Sequence, residues 1–368
     1  MIKMIDLAAQ YQSIKPEIDA AIANVIYDSA FIGGKYVKNF EQQFATYIKS
    51  KYCIGVGNGT DALEIAIEAA NLPPNSEIIV PGNSFIASSE AVTRCGHKVV
   101  FADVDHDCYT LTAEAVRSKL TERTKAIIAV HLYGHPCDMD ALLEICSERD
   151  LTLIEDCAQA HGAEYKGRSI GTIGHLAAFS FYPGKNLGAY GDAGAITTQD
   201  EVLATNARMI ANHGRVAKYD HKFEGRNSRL DGLQAAILSA KLPCLDRWTQ
   251  RRIEIADYYL QHLAGISSLI LPLRKPWARQ VYHLFVVRTA MRDELRAFLL
   301  ERGIETGVHY PVALPKLSAY DYLGVPDGNA FYNNADATLL SLPIGEHLSL
   351  DDAAAVVSGI RDFFRQIR

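Results

Sequence analysis

Ala178-Phe179-Ser180-Phe181-Tyr182-Pro183-Gly184-Lys185-Asn186-Leu187-Gly188 is a short β-rich run that Pro183-Gly184 bends into a turn carrying one lysine. Gly191-Asp192-Ala193-Gly194 follows it. An amine held among apolar, tightly turned residues is poorly solvated. Desolvation disfavours its ammonium form, lowers its pKa and makes it nucleophilic towards aldehydes, which is the requirement for a Schiff base. Ser180, five residues before Lys185, can offer a hydroxyl to an anion.

Working outward, apolar runs alternate with amphipathic stretches. Strands are expected over 53–56, 77–80, 98–102, 126–131, 152–155, 178–181 and 195–198, with helices over 60–70, 84–94 and 139–148 between several of them. This βαβ rhythm predicts an α/β fold whose large domain holds a mostly parallel central sheet flanked by helices. Ligands on such sheets sit beyond the carboxyl ends of the strands. After residue 245 the pattern changes. A long helical stretch over 231–262 leads to a strand over 283–288, a helix over 291–302, a strand around 307–310 and a terminal helix over 351–368. We expect a large domain over 1–245, opening with a helical segment, and a smaller C-terminal α+β domain over 246–368.

Two further segments leave strand ends. Val56-Gly57-Asn58-Gly59-Thr60-Asp61-Ala62 joins a strand to a helix, where glycines let amides approach an anion and the helix N-terminus adds a positive dipole end. It also fits Gly-x-Gly-x-x-Ala, but the dinucleotide reading needs an acid at the end of the next strand, whereas Glu77 starts that strand. Alone, the loop is read either as a phosphate site or as a tight turn. Ile154-Glu155-Asp156-Cys157-Ala158-Gln159 leaves a buried strand, so Asp156 either caps a turn or faces a cofactor pocket. The paired acids also admit a metal or general-base site.

Taken in this order, the three segments resemble the DegT/DnrJ/EryC1/StrS family of sugar aminotransferases, with the fold-type I, aspartate aminotransferase-like architecture. The likeness runs from Ile5-Asp6-Leu7 through Leu342-Pro343-Ile344. It implies pyridoxal 5'-phosphate as cofactor, Lys185 as its Schiff-base lysine and Asp156 as partner of the pyridinium nitrogen. Gln159 would reach the cofactor's ring, Phe85 would stack on it, and Gly59, Thr60 and Ser180 would hold its phosphate. A dehydratase branch replaces the lysine with histidine, so Lys185 implies transamination.

Between Asn212 and Arg229 stand five Lys or Arg and two acids. A solvated charged loop is the ordinary reading. The resemblance instead implies that Asn227 reaches the cofactor phosphate of a neighbouring subunit in a homodimer, with Tyr219, Arg229 and Lys241 near a nucleotide-sugar. His309 and Tyr310 would help bind that substrate. The amino donor would be L-glutamate. The acceptor would be C3 of a dTDP-linked 3-keto-6-deoxyhexose, on the way to surface polysaccharide (O-antigen) or glycosylated natural products. A C4 aminotransferase or one using a UDP-linked 3-keto sugar is the alternative. Gly232 stands where glutamate is common, a change expected only to weaken a helix start.

Composition agrees with this reading. The 368 residues are 48% hydrophobic and 22% charged, and the net charge of −6 argues against a nucleic-acid or membrane-surface binder. Seven scattered cysteines suit free thiols in a cytoplasmic protein. No signal peptide or membrane-spanning run is expected. His131, His135 and Cys137 lie at a strand end and turn, where four-residue spacing does not align ligands, and no metal is expected. Two other classes compete: a regulatory family member without turnover, and a nicotinamide-dependent oxidoreductase resting on Gly57–Ala62 alone.

Overall fold

Seven of the apolar runs form one sheet in the computed structural model of the chain, which describes residues 1–324 and 328–366. They are β1 (Tyr52–Val56), β2 (Glu77–Pro81), β3 (Lys98–Ala102), β4 (Thr124–Val130), β5 (Thr152–Asp156), β6 (Leu176–Ser180) and β7 (Gly194–Thr198). Their spatial order is β1-β7-β6-β5-β4-β2-β3. Strands β2 to β6 pair in parallel, and only β7 runs antiparallel to both its neighbours, β1 and β6. The expected α/β sheet is present.

Helices α1 (Leu7–Ser13), α2 (Lys15–Asp28) and α3 (Gly34–Ile48) precede the sheet. Helices α4 (Gly59–Ala69), α5 (Ala87–Arg94), α6 (Ala113–Lys119) and α7 (Met139–Arg149) alternate with its strands, and α8 (Glu201–Ile210) follows β7. Asn58, Thr112, Asp138 and Asp200 cap α4, α6, α7 and α8 by accepting first-turn amides, which is why these helices start where they do. Successive strand residues enter opposite cores. Ile79, Ile127 and Leu153 join Phe40, Phe44 and Phe179 on one face, while Ile78, Ile128 and Ile154 join Ile54, Ile65 and Ile196 on the other. Burial on both faces is why these strands read as continuous apolar runs.

Helix α9 (Gly232–Lys241) follows, with Ala235 and Leu238 in the first of these cores, and the C-terminal part contains α10 (Leu245–Leu263), β8 (Phe285–Arg288), α11 (Arg292–Glu301), β9 (Leu339–Leu342) and α12 (Leu350–Gln366). Two expectations are corrected here. The long helix over 231–262 is broken at Leu242–Cys244, a single 3-10 turn holding Pro243, which lacks an amide donor and clashes with a continuing helix. The strand around 307–310 reduces to one isolated pairing of Gly307 with Ser341. The antiparallel partner of β8 is β9, a four-residue apolar run too short to read as a strand from periodicity. The terminal helix is described to Gln366, and its expected last two residues lie outside the described residues. A third core, including Ile255, Tyr259, Phe285, Leu299, Leu342 and Val356, serves this C-terminal part. Leu245, at the head of α10, still belongs to the large core. On this distribution we propose the domain boundary at residue 245.

Gly232 has a packing role beyond its expected weak helix start. Its amide donates to the Phe31 carbonyl at 2.7 Å, and a Cβ here would lie 2.0 Å from the Ala30 carbonyl oxygen. Helix propensity alone would make Gly232→Ala stabilising by about 1 kcal/mol. The contact makes it destabilising, by about 1–3 kcal/mol. Thermal unfolding of Gly232→Ala is expected below that of the parent chain, and a rise would mean that the Ala30 backbone yields without penalty.

Candidate active site

Beyond the carboxyl ends of the parallel strands lies a cavity of about 520 Å³. Gly59, Thr60, Phe85, Asp156, Gln159, Ser180, Lys185 and Tyr310 all line it, so eight residues expected from the sequence meet in one space.

The lysine turn is closed on itself. The Lys185 amide donates to the Tyr182 carbonyl, Ala189 to Phe181 and Phe181 to Ala193, each at 2.8 Å. Gly188 lies so close to the Pro183 carbonyl that a Cβ would come within 2.3 Å of its oxygen. The Lys185 side chain reaches the cavity, but its amine is surrounded by protein. Burial pulls its pKa down to about 8, against the upward pull of the Asp156 carboxylate.

Asp156 ends β5 and is buried. Its Oδ2 accepts from Ser88 Oγ at 2.7 Å, which lies 2.8 Å from Ser84 Oγ, and its Oδ1 accepts from the Ala158 amide at 3.1 Å. Glu155, one residue earlier, points to the opposite side of the strand. There it accepts from Gly171, Ile173 and Gly174 amides at 2.9, 2.8 and 2.7 Å, and contacts His131 Nε2 at 3.1 Å. The Cys137 amide donates to His131 Nδ1 at 3.0 Å, so the ring proton faces Glu155. His131, Glu155 and Cys157 are near enough for a three-ligand metal site, but the imidazole and carboxylate are committed to these bonds. Glu155 is a structural acid.

Gln159 Oε1 accepts from the Tyr133 amide at 2.6 Å, and its Nε2 donates to the Tyr310 hydroxyl at 3.1 Å. Phe85, 54% exposed at the cavity mouth, has its ring centroid 5.8 Å from that of Tyr310. Gly59 opens α4, and a Cβ on it would lie 2.5 Å from Ser180 Cβ. That absence of a side chain brings the first helical amides, Thr60 and the Ser180 hydroxyl together as an anion cradle. Glu77, by contrast, sits at the amino end of β2, bonded to Thr121 at 2.5 Å and Arg123 at 2.8 Å, far in sequence logic from a ribose site. The donor set fits pyridoxal phosphate: an amine of lowered pKa for its aldehyde, a buried carboxylate for its ring nitrogen, and hydroxyls at a helix N-terminus for its phosphate.

The remaining expected residues lie elsewhere on the chain. Tyr219 is 85% exposed on a small hairpin of Arg215–Ala217 with Asp220–His221, and Asn227 and Arg229 are exposed too. His309 lies behind Tyr310, with Nδ1 2.8 Å from Ser341 Oγ. Lys241 is corrected. It is fully buried, and its ammonium donates to Gln10 Oε1 at 2.8 Å and the Gly188 carbonyl at 2.7 Å, so it is not free to meet substrate. Ser84, Ser88, Tyr133, Tyr182 and Asp192 were missed. The i,i+4 spacing of Ser84 and Ser88 was the available signal.

The sequence profile of the DegT/DnrJ/EryC1/StrS aminotransferase family matches residues 12–361. The dTDP-3-amino-3,4,6-trideoxy-alpha-D-glucose transaminase of Streptomyces venezuelae is 44% identical over 367 residues, covering 100% of this chain and 97% of that one. The dTDP-3-amino-3,6-dideoxy-alpha-D-galactopyranose transaminase of Aneurinibacillus thermoaerophilus is 42% identical over 363 residues, covering 99% of each. The crystal structure of S. venezuelae DesV in complex with a ketimine intermediate superposes with a TM-score of 0.96 at 44% identity, covering 99% of this chain and 98% of that one.

The balance at Lys185 gives a pH prediction. With its pKa at about 8, roughly a tenth of the amine is uncharged at pH 7. The rate at which cofactor-free protein captures pyridoxal phosphate is expected to rise through pH 8, not through 10.5. In Asp156→Asn the group that raises the pKa is gone, so the inflection moves below 8. Stopped-flow absorbance checks both, and an inflection that stays put in the variant would mean that Asp156 does not act on this amine.

Proposed function

The chain belongs to the DegT/DnrJ/EryC1/StrS aminotransferase family, and from that premise we propose that it carries an amino group from L-glutamate to C3 of a dTDP-linked 3-keto-6-deoxyhexose. One observation carries the transaminase reading: the buried Lys185 amine and the Asp156 carboxylate line the same cavity as the N-terminus of α4. The names of the two dTDP-3-amino-sugar relatives support the choice of sugar and carbon.

Pyridoxal phosphate, when bound, supplies an electron sink that lets the Cα–H bond of an amino acid break. Asp156 would hold its ring nitrogen protonated, and Ser88, donating to Oδ2, keeps the carboxylate turned towards the cavity. Gly59, Thr60 and Ser180 would anchor its phosphate, and Phe85 and Gln159 would bracket its ring. Lys185 Nζ would hold the aldehyde carbon. Once released, Nζ is the base that takes the proton from the donor's Cα, a role that its lowered pKa suits.

Charge supports a second subunit in the site. Among the described residues lining the cavity, Lys185 is the one cation, facing Asp156 and Asp192. A nucleotide-sugar brings two phosphates, and glutamate two carboxylates. The basic segment 212–229 of a second copy would supply the missing positive charge through Arg229, with Tyr219 against the sugar nucleotide and Asn227 on the cofactor phosphate. A two-fold homodimer would thus share its sites. The unpaired state of all seven cysteines suits a reducing cytoplasm.

Two measurements check this reading. Glutamate should convert the visible band of the holoenzyme into the amine form, and a dTDP-3-keto-6-deoxyhexose should restore it with nitrogen on C3 by NMR, while the 4-keto isomer should not; restoration by the 4-keto isomer alone would overturn the regiochemistry. Lys185→Ala and Arg229→Ala should each be inactive. Refolded together at equal amounts they should regain about a quarter of parental activity, because half the dimers then hold one intact site of two. No recovery would rule out shared sites.

A further inference from the structure

Lys241 lies three-way bound inside the protein, and following its contacts leads back to the catalytic turn. Its ammonium donates to the Gly188 carbonyl and to Gln10 Oε1, and sits 4.1 Å from the centroid of the Tyr190 ring. Gln10, on α1 and 4% exposed, donates its Nε2 to one oxygen of Glu346. The other Glu346 oxygen accepts from Arg252 at 3.1 Å. Arg252, buried on α10, donates to the carbonyls of Tyr282, His283 and Ile344 at 3.3, 3.4 and 3.3 Å. His283 closes the circuit, with Nδ1 3.2 Å from Oδ1 of Asn186, the residue next to Lys185. Asn186 Nδ2 donates to the Val281 carbonyl at 3.1 Å, so its Oδ1 accepts and the His283 proton sits on Nδ1. The ring therefore leaves the lysine turn at Gly188 and re-enters it at Asn186.

Its members come from α9, α1, the segment before α12, α10 and the segment before β8. Gln10 is the neutral link between a buried cation and a buried anion that do not touch each other. Buried charges joined in this way seldom maximise stability, since apolar residues of equal volume do as well, but they do specify one geometry. The N-terminal segment is itself tied to the C-terminal part, with the Ile2 amide donating to Gly303 at 2.7 Å and the Glu305 amide to Ile2 at 2.9 Å.

We propose that Gln10 is a positioning residue for Lys185, closing a ring of buried polar contacts that holds the lysine turn at one height against α1 and the C-terminal part. This rests on Lys185 holding the cofactor. A cavity of about 660 Å³ lined by Gln10, Trp248 and Glu346 adjoins the ring on its outer side. Water can enter there when the amide is removed.

The test uses the holoenzyme with Gln10→Leu, Lys241→Met and the double variant. Each is read by visible circular dichroism of the bound cofactor without substrate, by kcat and KM, and by borohydride labelling of Lys185. The expected result is full labelling, a changed dichroic band, kcat lower by about tenfold or more, and KM within about threefold. The double variant should be no worse than the poorer single, because one ring is broken once. A dichroic band and kcat within about twofold of the parent, with only thermal stability reduced, would overturn the proposal, as would single effects that multiply in the double variant. Should Gln10→Leu fail to fold, Gln10→Ala, open to water from the cavity, is read by the same criteria. Absence of label on Lys185 in the parent chain sinks the functional reading itself, before any variant is compared.

Discussion

Holding one amine within reach of its neutral form while a carboxylate shares its cavity is the constraint on which this structure turns. Burial lowers the Lys185 pKa and Asp156 raises it, with the balance at about 8. Burial acts on the surrounding imidazoles in the same direction. His161, packed against the rings of Phe179 and Phe181, is pushed down to about 3 by burial together with the Lys185 charge. His283 and His309 are lowered for the same two reasons. The wall behind the lysine is therefore neutral at physiological pH, and Asp156 is left as the charge that governs it. A neutral wall neither repels the ammonium nor competes with it for a proton, so proton traffic falls to a single nitrogen.

The same economy of direction appears along β5. A strand turns successive side chains to opposite faces, so two adjacent acids cannot serve one pocket. Glu155 is spent on three amides and His131, locking the turn before β6, whereas Asp156 is turned to the cavity. Ser88, on a neighbouring helix, reaches across to hold one oxygen of Asp156. The carboxylate's direction is thus fixed by the chain before any cofactor arrives, which removes a reorganisation step from catalysis.

What could be read in advance followed from periodicity and from turn chemistry. The sheet was legible because both faces of each strand are buried and the runs stay apolar throughout. The meeting of Lys185, Asp156, Gly59, Thr60 and Ser180 in one cavity was legible because their three segments leave strand ends, while the role of each came from the family resemblance and not from position. Lys241 was misplaced, since a lysine on a helix gives no sign in sequence of whether it reaches solvent, substrate or a carbonyl 53 residues away. Pro243 was visible, but the apolar spacing on either side of it suggested one helix where two are packed. Gly232 looked like a weakened helix start because propensity is local, while the Ala30 carbonyl that excludes a Cβ is some two hundred residues distant in sequence.

Helix α4 links the two halves of the charge problem. Its N-terminus forms the anion cradle, and its flank anchors the basic segment 212–229. Ser228 donates to Asp61 Oδ2 at 2.6 Å and accepts from the Gly57 amide at 3.0 Å, while Arg226 pairs with Glu64 and Glu68. The segment's base is thereby fixed, and its tip, carrying Tyr219, stands free in solvent. Arg226 spends its charge on this anchoring, so the cation left for an outside ligand near Asn227 is Arg229. In a two-fold pair of the kind proposed, each α4 would set both its own phosphate cradle and the reach of the arm towards the other. A displacement of α4 would then change the two sites together, so the pairing of subunits and the binding of phosphate would be one mechanical problem, set by a single eleven-residue helix.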